Sequence, residues 1–309
     1  MFIPRDSVEI VEVGPRDGLQ NIEQFVHTKH KIELIRRLAE SGLVEIQIGA
    51  FVNPVAVPQF KDMRDIVAEF AGGVPGITFT ALVPNLKGAV EAFSAGLRKI
   101  AFVFSVSRYH NLSNVRKTPE ESLEELKDIS RLREEYPDAV IVVDLATTFG
   151  CPFQLTVSPE SVLHYVAMVH DLGFDRITLC DTVGFGNPRQ VHDVAAACIA
   201  SFPDVTFRCH IHNTRGLGLA NTLAAYGAGI RSFDSSVGGL GGCPFAPGAT
   251  GNVATEDKVF MFNEMGVFTG VDPRSLVETS RYLSSILPHV RFESALFRAG
   301  LPAAVSFPE

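Results

Sequence analysis

The chain has 309 residues, 46% of them apolar and 20% charged, enough to bury one large core and too apolar for a disordered chain. A formal net charge of −8, with no block of Lys or Arg, excludes a nucleic-acid footprint and binding to an anionic membrane surface. Recognition of an anionic substrate would need positive charge supplied locally, by a metal ion or a few placed arginines.

The five cysteines, Cys151, Cys180, Cys198, Cys209 and Cys243, are odd in number and form no CxxC pair. No basic-then-apolar leader opens the chain, and no apolar run approaches the roughly 20 residues of a membrane span. These features lead us to expect a reduced, soluble, cytoplasmic protein.

In chain order, Val8–Val13 alternates apolar and acidic residues and breaks at Gly14-Pro15, a short strand ending in a loop that carries Arg16 and Asp17. Thr28 reads as the cap of a helix over Lys29–Glu40, with Ile32, Ile35 and Leu38 at helical spacing and Gly42 as the stop. Strands are then expected at Val44–Phe51, Ile77–Val83, Lys99–Ser105, Ala139–Ala146, Arg176–Cys180, Val205–His212 and Ser232–Val237. Helices are expected between them at Phe60–Phe70, Leu86–Ala95, Pro119–Glu135, Pro159–Leu172, Pro188–Ala200 and Leu217–Ala228. A longer loop through Asn111 and Asn114 follows the fourth strand, and helices at Thr255–Met265 and Pro273–Leu287 finish the chain.

Eight apolar strands, each followed by a helix, predict an α/β fold of the (β/α)8 TIM-barrel type over residues 1–287. A doubly wound open sheet fits less well, because no GxGxxG follows the first strand and the strand count is high. Residues 288–309, with Pro288, Pro302 and Pro308, read as a C-terminal tail, either loose or a subunit contact in a homo-oligomer.

In such a barrel the site lies at the carboxyl ends of the strands, and the distinctive residues of this sequence fall there. The stretch Gly238–Asn252, GGLGGCPFAPGATGN, holds six glycines, too many to pack a core, and is expected to cover a reaction site. It lacks the Gly-Lys-Ser/Thr ending of a nucleotide P-loop. Asp17 follows strand one, His210 and His212 end strand seven on one side, and Asn252 closes the loop. One carboxylate, two imidazoles and one amide oxygen suit a six-coordinate Mg²⁺ or Mn²⁺ better than a closed zinc site.

Each of these residues also has a plainer reading. An HxH pair is often just polar residues at a strand end, Arg16 a surface salt-bridge partner and Cys243 a small buried hydrophobe. Asp181 is either a carboxylate that orients a ligand histidine or the cap of the next helix. The company these residues keep at one barrel face favours a site for all but Asp181, whose two readings stand level. There Arg16 steadies an enolate or carboxylate oxygen, and a thiol on a closing loop moves a proton. His110, His164, His170 and His192 have no such company and read as ordinary surface or helix residues.

These motifs resemble those of the 3-hydroxy-3-methylglutaryl-CoA lyase family, within the metal-dependent barrel lyases and Claisen-type synthases. The likeness runs from GPRDGLQN at Gly14–Asn21 through PNLKG at Pro84–Gly88, GCPF at Gly150–Phe153, DTVG at Asp181–Gly184 and ANT at Ala220–Thr222. It ends in the glycine-rich loop and TED at Thr255–Asp257. The resemblance implies that Asp17, His210, His212 and Asn252 bind Mg²⁺ or Mn²⁺ and that Arg16 stabilises the enolate of the departing acetyl-CoA. It also implies Cys243 as a proton-transferring thiol, Asp181 as supporting acid/base and Glu256 as a residue that fixes the loop. The reaction implied is retro-Claisen cleavage of an acyl-CoA, the small-molecule partner.

Departures sit near the chemistry: Gln47, Ala50 and Val55 stand where the family has Glu, Ser and Lys, and Arg215 replaces the usual Tyr. The segment Ser105–Thr118, SVSRYHNLSNVRKT, is closer to the synthases. Gln47 is therefore a candidate catalytic-site residue bearing on the choice of acyl group. The rival readings are a synthase joining acetyl-CoA to a 2-oxo acid, for which little chain remains after strand eight, and a barrel that binds acyl-CoA without turnover.

Overall fold

The computed structural model describes residues 6–242 and 251–303. Eight parallel strands close into a barrel in chain order: β1 (Glu9–Glu12), β2 (Glu45–Ala50), β3 (Thr78–Val83), β4 (Lys99–Ser105), β5 (Val140–Ala146), β6 (Arg176–Asp181), β7 (Thr206–Ile211) and β8 (Ser232–Ser235). Closure is made by β1 against β8, with Glu9 opposite Ser232 and Glu12 opposite Ser235. Every residue of β2, and all but the first of β5, is buried, as strands covered on both faces must be. The expected strands are all present, most of them within one or two residues of their expected ends.

The helices are α1 (Thr28–Glu40), α2 (Met63–Glu69), α3 (Leu86–Ser94), α4 (Arg108–Val115), α5 (Pro119–Ser130), α6 (Leu132–Glu135), α7 (Pro159–Asp171), α8 (Pro188–Ser201), α9 (Gly218–Ala228), α10 (Thr255–Glu264), α11 (Pro273–Ile286) and α12 (Ala295–Ala299). Among the described residues none is long and apolar enough to cross a membrane. Cys151, Cys180, Cys198 and Cys209 are buried and unpaired.

Four local readings are corrected. Thr28 is not the cap of α1 but its first residue. His27 holds the cap position without a side-chain bond, and the Thr28 hydroxyl donates to Asp62 Oδ2 at 2.8 Å. Asp62 is fixed there by a buried ion pair with Lys31, and it draws the hydroxyl away from the backbone. The single helix expected over 119–135 breaks at Arg131 into α5 and α6. The helix expected over 60–70 begins at Met63, after a tight turn at Pro58–Phe60. Part of the loop expected after β4 is the helix α4, capped by Ser107 and ended by Arg116 at φ 59°. Its sequence RYHNLSNV offers only a weak apolar stripe, so periodicity does not reveal it.

Residues 288–303 pack on the barrel. Phe292 is buried against the core, and Asp257 of α10 accepts from Ser294 Oγ and from the amides of Ala295 and Leu296. Gly238, at φ 69°, makes room for this segment: a Cβ there would lie 2.4 Å from the Phe292 ring.

Candidate metal centre and substrate cavity

After β1 the chain tightens into the turn Gly14–Gly18, in which the amides of Arg16, Asp17 and Gly18 all point at the Val13 carbonyl, at 3.0, 2.7 and 3.3 Å. Pro15 pre-sets the first φ of this turn and has no N–H to satisfy. Glu12 supports it from below. Its Oε1 accepts from the amides of Gly14 (2.7 Å) and Val237 (2.9 Å), and its Oε2 from Thr255 Oγ1 (2.6 Å). One buried carboxylate thus ties the β1 loop, the β8 loop and the start of α10 together.

On this base Asp17 meets the end of β7. Asp17 Oδ2 lies 3.7 Å from His210 Nε2 and 3.5 Å from His212 Nε2, and the two imidazole nitrogens are 3.1 Å apart. The possible ligand atoms of Asp17, His210 and His212 all lie within 4.8 Å of one another. Asn252 reaches Asp17 through its amide nitrogen, Nδ2 donating to Asp17 Oδ2 at 2.6 Å, while its buried Oδ1 has no hydrogen-bond partner among the described residues. Burial alone would raise the Asp17 pKa, but the Arg16 guanidinium and the two imidazoles outweigh it and hold the carboxyl well below its usual range. An ionised carboxylate and two converging ring nitrogens, with the Asn252 amide at their edge, suit a hard divalent cation.

These side chains open into a cavity of about 250 Å³ lined by Arg16, Asp17, His110, Asp144, His210 and His212, with Val52, Leu82, Pro84 and Val103 supplying an apolar wall. Arg16 is buried, its Nη1 donating to Asp17 Oδ1 at 2.5 Å and its Nε to Gln47 Oε1. Gln47 is not among the residues lining the cavity and accepts a hydrogen bond from Arg16, which is.

Two lining residues escaped the sequence reading. His110, set aside as ordinary, is buried on α4, with its Nδ1 2.7 Å from Ser105 Oγ, and burial lowers its pKa to about 4. The SVSRYHN spelling was the available signal. Asp144 on β5 is raised to about 6 by burial and by the nearby Asp234; one acid in VIVVDLA gave no sequence signal.

Other expectations resolve differently. Among the described residues Asp181 makes no hydrogen bond to a histidine: its carboxylate accepts from the amides of Phe185 (2.8 Å) and Gly186 (3.2 Å) and shapes the loop after β6, while Asn187 caps α8. The carboxylate at hydrogen-bond distance from His210 Nδ1 is that of Asp234, at 3.1 Å. Val55 is 87% exposed and outside the cavity lining, whereas Ala50 is buried. Arg215 stacks on Phe185 and donates to the carbonyls of Val183 and Gly184. Cys243 lies outside the described residues. The stems of its loop cross at Gly241 and Gly251, where any Cβ on Gly251 would collide with the Gly241 carbonyl.

Glu256 accepts from the Gly238 amide at 3.0 Å and from Ser280 Oγ at 2.6 Å. Burial pushes Glu256 from 4.5 to about 7 and Glu12 to about 8. With folded values above unfolded ones, the folded protein holds protons that the unfolded chain releases. The resulting stability is complete below about pH 4.5 and is lost as pH rises through 7 to 8. At about 1.4 kcal/mol per pH unit, Glu256 alone accounts for roughly 3 kcal/mol. Urea titrations at pH 5 and 8 should show wild type weaker at pH 8, and Glu256→Gln should remove much of the difference. A wild-type stability that rises from pH 5 to 8 contradicts this.

The fold and the site together define a (β/α)8-barrel enzyme with a possible metal-ligand cluster at the carboxyl ends of its strands. The chain belongs to the HMGL-like family, whose profile matches residues 7–283, and it is a carbon–carbon lyase. It is 42% identical over 291 residues to the (R)-citramalyl-CoA lyase of Chloroflexus aurantiacus, covering 91% of this chain and 92% of that one. It is 40% identical over 277 residues to the hydroxymethylglutaryl-CoA lyase YngG of Bacillus subtilis, covering 90% and 92%. Among solved structures, an HMG-CoA lyase from Acinetobacter baumannii in complex with coenzyme A and 3-methylmalate superposes with a TM-score of 0.92 at 40% identity, covering 100% of both chains.

Proposed function

We propose that the protein is a divalent-metal-dependent acyl-CoA lyase that cleaves 3-hydroxy-3-methylglutaryl-CoA or a related 3-hydroxyacyl-CoA to acetyl-CoA and a keto acid. The observation that carries the reading is the meeting of Asp17, His210 and His212 at a cavity that also holds a buried arginine, with Asn252 bonded to Asp17. Asp17, His210, His212 and Asn252 would hold Mg²⁺ or Mn²⁺. When bound, the ion would supply Lewis acidity to the substrate's oxygens. A base takes the hydroxyl proton, the carbon–carbon bond breaks to give the ketone, and the bond's electron pair passes to the acetyl-CoA enolate, whose carbon takes up a proton from an acid at the site. Arg16 faces that developing negative oxygen. Cys243 is the proposed proton carrier, and Asp181 supports the acid/base step by fixing the β6 loop.

The test is acetyl-CoA release from 3-hydroxy-3-methylglutaryl-CoA, citramalyl-CoA and longer branched analogues. Turnover should vanish on chelation and return with Mg²⁺ or Mn²⁺; full activity in chelated, metal-free protein would end the reading. Condensation of acetyl-CoA with 2-oxo acids as the sole activity would identify a synthase instead.

The acyl group is proposed to be related to, but not identical with, 3-hydroxy-3-methylglutaryl. Gln47 places a neutral amide behind Arg16, and Asp144 places a carboxylate on the cavity wall. Gln47→Glu would add a negative charge against Arg16 and should change the kcat/KM ratio between 3-hydroxy-3-methylglutaryl-CoA and the best analogue. If wild type cleaves the former above about 10⁴ M⁻¹s⁻¹ and better than every analogue, this part of the proposal is wrong.

A further inference from the structure

Beneath the histidines runs a column of charge. Arg208, two residues before His210 on β7, donates to Glu45 of β2 through Nη2 at 2.8 Å and Nη1 at 3.1 Å, and Lys99 of β4 donates to the same carboxylate at 2.6 Å. Strands β7, β2 and β4 are not neighbours in the sheet, so these bonds pass through the barrel interior, where branched apolar layers are usual. Burial alone would raise the Glu45 pKa, but Arg208 and Lys99 outweigh it and bring it to about 2. A buried ionic network seldom adds stability over packed apolar side chains, so stability by itself does not account for this one.

The column continues upward to the candidate metal centre. Arg208 Nη1 makes an ion-pair contact of 3.5 Å with Asp234 Oδ1, and Asp234 Oδ2 lies 3.1 Å from His210 Nδ1. The Asp234 main chain is pinned as well, its carbonyl accepting from the buried Lys258 Nζ at 2.6 Å. His212 has no counterpart, since its Nδ1 is buried without a hydrogen bond among the described residues. One of the two imidazoles therefore has a carboxylate behind it, and that carboxylate's Oδ1, without a hydrogen bond among the described residues, lies in ion-pair range of Arg208.

We propose that Asp234 is a positioning residue that sets the tautomer and aim of His210. Its carboxylate accepts the Nδ1 proton and leaves the Nε2 lone pair pointing at Asp17 and His212. Arg208, clamped by Glu45 and Lys99, keeps Asp234 in place. A carboxylate behind a ligand histidine also makes the ring a better donor to a cation. The inference rests on the metal reading above for its purpose, but the tautomer can be measured without a metal.

The first measurement is the ¹⁵N signature of His210 in metal-free wild type, assigned by its loss in His210→Ala. Protonation at Nδ1 with a bare Nε2 is expected; a protonated Nε2 as the main form overturns the proposal whatever the variants do. The second is Mn²⁺ affinity by calorimetry. Asp234→Asn should bind Mn²⁺ about 10- to 100-fold more weakly and shift His210 toward a mixture of tautomers. Arg208→Met should move both readouts in the same direction by less. A merely structural role would lower the melting temperature of both variants and leave tautomer and affinity at wild-type values, and that result would refute the idea. If wild type binds no Mn²⁺, the metal reading fails, while the tautomer comparison still decides the role of Asp234.

Discussion

His210→Ala is expected to lower kcat by about 10³-fold or more while the barrel stays folded. A metal ion acting as a Lewis acid contributes several kcal/mol to such a reaction, and each 1.36 kcal/mol is a factor of ten. Loss of one ring nitrogen from the proposed ligand set of Asp17, His210 and His212 would leave too few donors to hold an ion against water. The fold should survive because Asp234 keeps its ion-pair contact with Arg208, and the apolar layers between strands and helices are untouched. Circular dichroism and a melting temperature within several degrees of wild type would establish the fold, and calorimetry should show Mn²⁺ binding largely lost. A variant that retained more than a tenth of wild-type kcat would remove His210 from the proposed ligand set.

The barrel was legible because doubly covered strands spell themselves as apolar runs. KIAFVFS and VIVVDLA carry few polar residues that could confuse the period. The gathering of Asp17, His210, His212 and Asn252 was legible for a geometric reason: alternate residues of a strand share a side, and loops at the carboxyl ends of barrel strands converge. What stayed hidden depends on contacts across the barrel. Asp234 in SFDSS and Arg208 in TFRCHI look like isolated polar residues, and only barrel closure brings one behind His210 and the other onto Glu45. His110 was missed because α4 has too weak a stripe to be seen as a helix, so nothing placed its ring at the cavity. Val55 misled in the opposite sense. It stands where the resembled family has Lys, and the loss of a substrate contact there pointed to a changed acyl group, yet the side chain is in solvent.

Arg16→Met is expected to lower kcat by about 10²- to 10³-fold, the range seen when a group aimed at a developing oxyanion is removed. The arginine is buried beside Asp17 with two of its N–H groups already committed, Nη1 to Asp17 and Nε to Gln47. The guanidinium carries five N–H donors in a fixed fork, so others remain for an oxygen in the cavity that Arg16 lines. Arg16→Lys should restore little. An ammonium group cannot contact Gln47 and Asp17 in the same planar arrangement and still present a donor to the substrate. Mn²⁺ affinity separates this defect from that of a ligand variant: Arg16 is not in the donor set, and its removal relieves Asp17 of a competing cation. Binding of Mn²⁺ should be equal to or tighter than wild type while turnover collapses. If Arg16→Met instead lost Mn²⁺ in proportion to activity, its role would be to build the metal centre, and the enolate would have to be stabilised by some other group. If kcat stayed within tenfold of wild type with Mn²⁺ bound, Arg16 would have no part in the chemical step.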